Sequence, residues 1–355
     1  MRNTNYITAL RFPLALLIVF IHSYNSVWRG IETGSFPTIP YFCSRILPTF
    51  AVPLFFAISG YLFFLNSKNF NLKTYTEKLK RRAFTLFIPY LLWNLIAFGL
   101  YALKDVAAHQ NLSFPPSLNL LWGCRTLGTT HTNLFDWTIW GSMAPVLEPF
   151  WFVRDLMLVV LLSPLIYLLI RYLKIFGLLL IGAAYYLELW PNFGGVTLLG
   201  LWYFALGAWF SLTDREVIQK TRMLAFPALV LMFPLGAFVM LYPDFEAAVR
   251  VPAQHLYVLC GMIFAVNLAH LCCCIHKPGK FLAQSSFFLY ASHTMVLLPL
   301  STLLAKYAAN TDSFNQAMLF FALPVSATII CTLGFSLVRR ILPKYHTVLT
   351  GVPAK

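Results

Sequence analysis

The sequence predicts an all-α, polytopic membrane protein of about ten transmembrane helices with both termini cytoplasmic. Three observations carry this. Of 355 residues, 59% are hydrophobic and 11% charged, whereas a soluble domain is roughly one-quarter charged. The apolar residues form long blocks separated by short polar islands, and at roughly 20 residues per span the length holds about ten. The formal charge of +14, which in a soluble protein would raise the question of nucleic acid, segregates by side. No nucleic-acid partner is expected.

In chain order the blocks run approximately over residues 12–28, 48–65, 84–103, 150–170, 175–190, 195–212, 223–241, 254–274, 284–305 and 315–338. With the N-terminus inside, 19 of the 26 Lys and Arg fall in cytoplasmic segments, as the positive-inside rule requires. Arg29, Arg45, Lys104, Arg125, Arg154, Arg250 and Lys306 remain on the other side or its rim. Arg11 precedes the first block, but no A-x-A cleavage site follows, so this block reads as a retained helix rather than a signal peptide. The seven cysteines lack metal-ligand spacing and behave as small apolar residues, with lipidation of Cys272–Cys274 the minority reading. No metal is expected.

The whole chain, 1–355, reads as one membrane domain. Its longest non-helical segment, 104–149, carries His109, His131, Asp136, Trp122, Trp137 and Trp140. A segment of that length is usually functional or disordered. A folded cap and an interfacial aromatic belt explain this composition equally well.

Ionisable groups inside spans are expensive, and therefore functional or paired. His22 lies eleven residues after Arg11, a separation of about three turns that puts both on one face, roughly 16 Å apart. A histidine at depth suits a general base for an alcohol nucleophile, and an arginine at the rim suits an anionic group. Alone, this pair reads more simply as a topology anchor and a packing hydrogen bonder.

Further motifs change that balance. Residues 52–62 read VPLFFAISGYL and include Ser59, a basic loop leads into Lys80-Arg81-Arg82-Ala83-Phe84-Thr85, and residues 151–156 read Trp151-Phe152-Val153-Arg154-Asp155-Leu156. Residues 286–293 read SFFLYASH. With Arg-x10-His, and in this order, these segments resemble the acyltransferase-3 family of bacterial integral membrane acyltransferases over nearly the whole chain.

The resemblance implies a membrane-embedded O-acyltransferase of the bacterial cytoplasmic (inner) membrane. It implies transfer of an acyl group, most often acetyl, from acetyl-CoA or another acyl-CoA to a hydroxyl of a cell-envelope carbohydrate or lipid-linked glycan. On that reading His22 is the essential histidine and Arg11 its paired basic residue. Many members carry Arg-x-x-Arg before the third span, whereas here Thr85 follows Arg82 by three. Which side chain meets the coenzyme phosphates is therefore open among Lys78, Lys80, Arg81 and Arg82, a cluster that a topology anchor would also explain.

Trp151, Arg154 and Asp155 can share a helix face near the outer rim. As sequence neighbours about 100° apart, Arg154 and Asp155 are each expected to meet another helix and shape the site, the alternative being Trp151 in an interfacial belt with Arg154 and Asp155 as a structural pair. Ser286, Tyr290 and His293, spaced four and three apart, form a polar stripe expected to face the bundle interior. His293 is then a second functional histidine or an interhelical hydrogen bonder. Besides lipid and the glycan acceptor no partner is indicated, and the oligomeric state is open. Transfer is direct, or passes through an acyl group carried by Ser59 or Ser286. The rival from another class is a transporter or flippase for an amphipathic envelope precursor, which Pro89, Pro164, Pro227, Pro234, Pro299 and Pro324 would suit as helix breakers. A membrane assembly factor is the blandest alternative.

Overall fold

A computed structural model describes residues 4–27, 38–66, 70–114, 116–127, 142–187, 189, 195–213, 216–276, 279–308, 313–343 and 346–350. Nearly all regular structure among them is helical. Seven helices are long and apolar enough to cross a membrane, and a bent pair makes an eighth. Two further apolar helices, Ile175–Tyr186 and Leu198–Leu212, are shorter than the roughly 20 residues of a straight span.

The chain packs as two compact units: Met1–Leu54 with Glu216–Pro343, and Phe55–Arg215 with Lys344–Lys355. The first unit contains α1 (Asn5–Val27), a π-helical turn (Phe42–Ile46) and a 3-10 turn (Leu47–Phe50) that enter α2 (Ala51–Phe64). The division falls inside α2. The second unit continues with α3 (Leu72–Arg82), α4 (Ile88–Ala107), α5 (Asn119–Trp122), β1 (Arg125–Leu127), β2 (Ser142–Ala144), α6 (Trp151–Leu161), α7 (Ser163–Leu173), α8 (Ile175–Tyr186) and α9 (Leu198–Leu212). The first unit resumes with α10 (Ala225–Leu241), α11 (Ala247–Ile275), α12 (Lys280–Ala308) and α13 (Ser313–Ile341).

The core of the first unit is the seam of α1, α12 and α13. Ala15 and Val19 meet Leu289, Leu297, Phe320, Leu323, Ala327 and Cys331, all buried. Long apolar side chains on three helices interlock there, while Leu303, Phe314, Ile329 and Leu333 on the outer faces stay exposed, as lipid-facing residues would. Such a helix is apolar all round, and packing rather than hydrophobicity decides which face turns inward.

In the second unit α2 and α9 cross backbone to backbone. A Cβ at Gly60 would fall onto the Phe204 carbonyl oxygen, and one at Gly207 onto the Ala57 carbonyl oxygen. Only glycine fits at that approach. Phe63, Phe64, Phe70, Tyr167 and Phe204 pack as a ring cluster beside it.

The apolar run 150–170, expected as one helix, is two. α6 ends and α7 begins with a 56° bend, because Pro164 in the first turn of α7 has no N–H to continue the ladder and restricts the residue before it. In contrast, α3 and α4 join through a π-helical turn, Ala83–Phe87, giving one helical run of 36 residues from Leu72 to Ala107.

Candidate active site

In the first unit α1 packs along α12 and brings two of the sequence-predicted residues together. The rings of His22 and His293 lie 5.2 Å apart, tilted by 53°. His293 is fully buried. Its Nδ1–H donates to the Tyr290 carbonyl oxygen at 2.7 Å, which leaves Nε2 as the lone-pair nitrogen. That nitrogen is buried and has no hydrogen-bond partner. A neutral imidazole with a fixed tautomer thus stands beside the half-buried His22.

The rest of the α12 stripe is also inside: Ser286 and Tyr290 are buried, with the Tyr290 ring 6.2 Å from that of His293. The Ser286 hydroxyl donates to the Ala283 carbonyl oxygen at 2.9 Å, back-bonding within its own helix. Arg11 is on the same unbroken helix as His22, an exposed side chain roughly 16 Å along the axis.

In the second unit the structure corrects the expectation for Arg154 and Asp155. They meet each other: Nε donates to Asp155 Oδ1 at 3.0 Å and Nη2 lies 2.9 Å from the same oxygen. Both are buried, and in so dry a place a carboxylate and a guanidinium are cheaper paired than sent to separate neighbours. Arg154 Nη1 also donates to the carbonyl oxygens of Trp122 and Met143, the latter at 2.9 Å, and its guanidinium sits 5.4 Å from the Trp122 ring centroid.

These bonds clamp the segment before α6. Tyr90 donates to the Leu121 carbonyl oxygen. Asn94 accepts from the Leu147 N–H at 3.1 Å and donates to the Tyr90 carbonyl oxygen at 2.8 Å. β1 and β2 pair antiparallel, Thr126 opposite Met143. The described ends of 104–149 are therefore folded onto α4 and α6, as a cap would be, and Trp151 starts α6 half-buried. His109 lies just past α4 with φ of 53°, while His131, Asp136, Trp137 and Trp140 lie outside the described residues.

The basic cluster divides by surroundings. The Lys78 ammonium donates to the Phe63 carbonyl oxygen and stands 5.4 Å from the Phe63 ring centroid. It caps the C-terminus of α2, where orphan carbonyls and the helix dipole attract a cation, so it is already engaged. Lys80 and Arg81 are exposed, and Arg82 is half-buried. Ser59 is half-buried one residue before the Gly60 crossing.

Residues the sequence reading did not single out complete the two groups. Arg45, assigned only as a rim charge, lies over the Tyr24 ring at 4.7 Å in the first unit. It is the one formal charge in the run Ile39–Phe64, a signal that was legible. Asn94 is likewise an isolated amide in an apolar block.

A family model described as an acyltransferase domain matches residues 4–336. The chain belongs to the acyltransferase-3 family. This acyltransferase-3 protein is 29% identical over 360 residues to the succinoglycan biosynthesis protein ExoH of Rhizobium meliloti (strain 1021), covering 97% of this chain and 91% of that protein. No solved structure matches it significantly. As an acyltransferase-3 protein with seven long apolar helices among its described residues, it is a multi-pass membrane acyltransferase.

Proposed function

We propose that this chain is a membrane-embedded O-acyltransferase that moves an acyl group from a cytoplasmic acyl-CoA to a hydroxyl of an exported or cell-envelope polysaccharide. The observation that carries the reading is the His22–His293 pair, two imidazoles in van der Waals reach inside a chain of acyltransferase family. His22 accepts the proton of the acceptor hydroxyl as its oxygen attacks the thioester carbonyl carbon. The C–S bond then breaks, and the leaving thiolate takes that proton back from His22. His293, with its Nδ1–H held by Tyr290, positions the His22 ring.

The part of ExoH in succinoglycan biosynthesis supports a polysaccharide acceptor. The side-sorted charge supports a bacterial inner-membrane location with both termini cytoplasmic. The exposed Lys80 and Arg81, with Arg82, are proposed to raise the local concentration of the anionic coenzyme through their long-range field.

The test is thiol release in proteoliposomes from acetyl-CoA and from succinyl-CoA, with and without alkali-de-esterified succinoglycan. Acceptor-dependent release that His22→Ala abolishes is expected. No release from either donor, or release unchanged in His22→Ala, overturns the reading.

A further inference from the structure

The three cysteines near the end of α11 differ in their surroundings. Cys272 and Cys274 are exposed, and Cys273 is half-buried. Cys274 Sγ lies 3.9 Å from Nε2 of His270, one turn back on the same helix face. The position one turn before Cys272 is Leu268, so Cys272 is exposed as well but has no base at the matching place.

The His270 ring is held from outside its own helix. Tyr6 of α1, itself buried, meets it edge-on, with ring centroids 6.3 Å apart and planes at 81°. A half-buried imidazole braced by an aromatic ring and within reach of an exposed thiol is arranged as a base beside a nucleophile. In the tautomer protonated at Nδ1, its Nε2 accepts from the thiol. Cys274 needs such a partner, because it lies in the last turn of α11, where the helix dipole opposes a free thiolate. Tyr6 stands sixteen residues before His22 on α1, roughly 24 Å along the axis, so this pair is separate from the His22–His293 site.

The surroundings select the electrophile. Leu268, Leu271 and Ile275 are exposed around the thiol, at the end of a helix long and apolar enough to cross a membrane, and Leu271 shares the face of Cys274. A hydrocarbon chain joined to Sγ would lie along that apolar surface, where a polar group would lose its water. On the orientation proposed above this rim faces the cytoplasm, where acyl-CoA is made. We propose that Cys274, with His270 as its base, is an S-acylation site that takes a long-chain acyl group from acyl-CoA. His270 Nε2 accepts the thiol proton as Sγ bonds to the thioester carbonyl carbon, and the carbonyl π pair moves onto oxygen. Its return breaks the bond to the coenzyme sulfur, and the leaving thiolate takes the proton from His270. One thioester replaces another, so the exchange needs no oxidant, reductant or further co-reactant. The acyl chain ties the end of α11 to the bilayer.

The test uses the purified full-length protein in detergent, where both ends of α11 are open to the donor whatever the orientation in the membrane. Palmitoyl-CoA or acetyl-CoA is added, and the acyl group is mapped by peptide mass before and after neutral hydroxylamine, which cleaves thioesters. Palmitoylation of Cys274 is expected about 10²-fold faster than that of Cys272, the lower end of what a positioned base supplies. That comparison lies within one molecule and needs no variant. His270→Gln should bring Cys274 down to the rate of Cys272, and palmitoyl-CoA should outpace acetyl-CoA. Equal acylation of Cys272 and Cys274 overturns the assignment, as does an unchanged rate in His270→Gln, an adduct that resists hydroxylamine, or acetyl transfer as fast as palmitoyl transfer. If His270→Gln fails to fold, the ratio of Cys274 to Cys272 in the wild type decides.

Discussion

His293 donates its Nδ1–H to the Tyr290 carbonyl oxygen and brings its ring to 5.2 Å from that of His22. The bond fixes the tautomer, and burial of the ring fixes its orientation. His22 therefore has a rigid neighbour on another helix, which a base needs if it is to wait in one rotamer for a substrate proton.

His22→Ala should lower kcat about 10²–10⁴-fold, the range of a lost general base. His293→Ala should lower it less and leave the donor KM unchanged, while His293→Gln recovers part of the loss. The double variant should be no slower than His22→Ala alone, because a positioning residue has nothing left to position. Additive losses in the kinetics of the four proteins would assign His293 a role of its own.

Arg154→Met leaves the Asp155 carboxylate buried without its partner, a change that typically costs about 3–5 kcal/mol. Adding Asp155→Leu should recover most of that stability without restoring the carbonyl clamps on Trp122 and Met143. Thermal unfolding of the detergent-solubilised protein reads the first effect. Limited proteolysis within Asn119–Leu127 reads the second, and should quicken in both variants.

Gly60→Ala and Gly207→Ala each push a methyl group into a facing backbone carbonyl. Backbone cannot rotate away as a side chain can, so each should destabilise by at least the about 1–3 kcal/mol of ordinary overpacking. Ser59→Ala, one residue away, should be nearly neutral in stability and in activity. A Ser59→Ala enzyme without turnover would revive a covalent acyl intermediate on that serine.

Lys78→Met should lower stability and leave the donor KM alone, since the ammonium is spent on the Phe63 carbonyl. Lys80→Gln and Arg81→Gln should do the reverse: each raises the donor KM and flattens its dependence on salt, because exposed charges act through a screened field. Steady-state kinetics at two ionic strengths separates the two classes.

Legibility in the sequence followed the physics of each feature. Long apolar blocks locate helices because lipid leaves the backbone no other way to satisfy its polar groups, and so α1, α11, α12 and α13 stand close to their expected positions. The bend before Pro164 was readable in principle, yet proline inside α1, at Pro13, leaves that helix unbroken. His22 and His293 could be picked out one at a time as costly intramembrane groups. Their meeting could not, since residues 271 apart are joined only by how two apolar helices choose faces. The Arg154–Asp155 pair was misjudged because helical angle describes where Cβ atoms point, while a long guanidinium can fold back along the surface to its neighbour. The contact of Lys78 was hidden for a related reason: its position told of a charge, not of the helix end it would reach.

The π-helical turn Ala83–Phe87 has a consequence for the rod that contains it. A π turn absorbs one extra residue, so everything after it sits about 100° behind the face that a plain α-helical count of the sequence would give it. The cations of Leu72–Arg82 and the apolar rows of Ile88–Ala107 are thus mechanically continuous but azimuthally decoupled, like two gear wheels keyed at different angles on one shaft. Each half can satisfy its own solvent, and a one-residue deletion within Ala83–Phe87 should be absorbed by return of the turn to plain α-helix, with both halves still facing their own media.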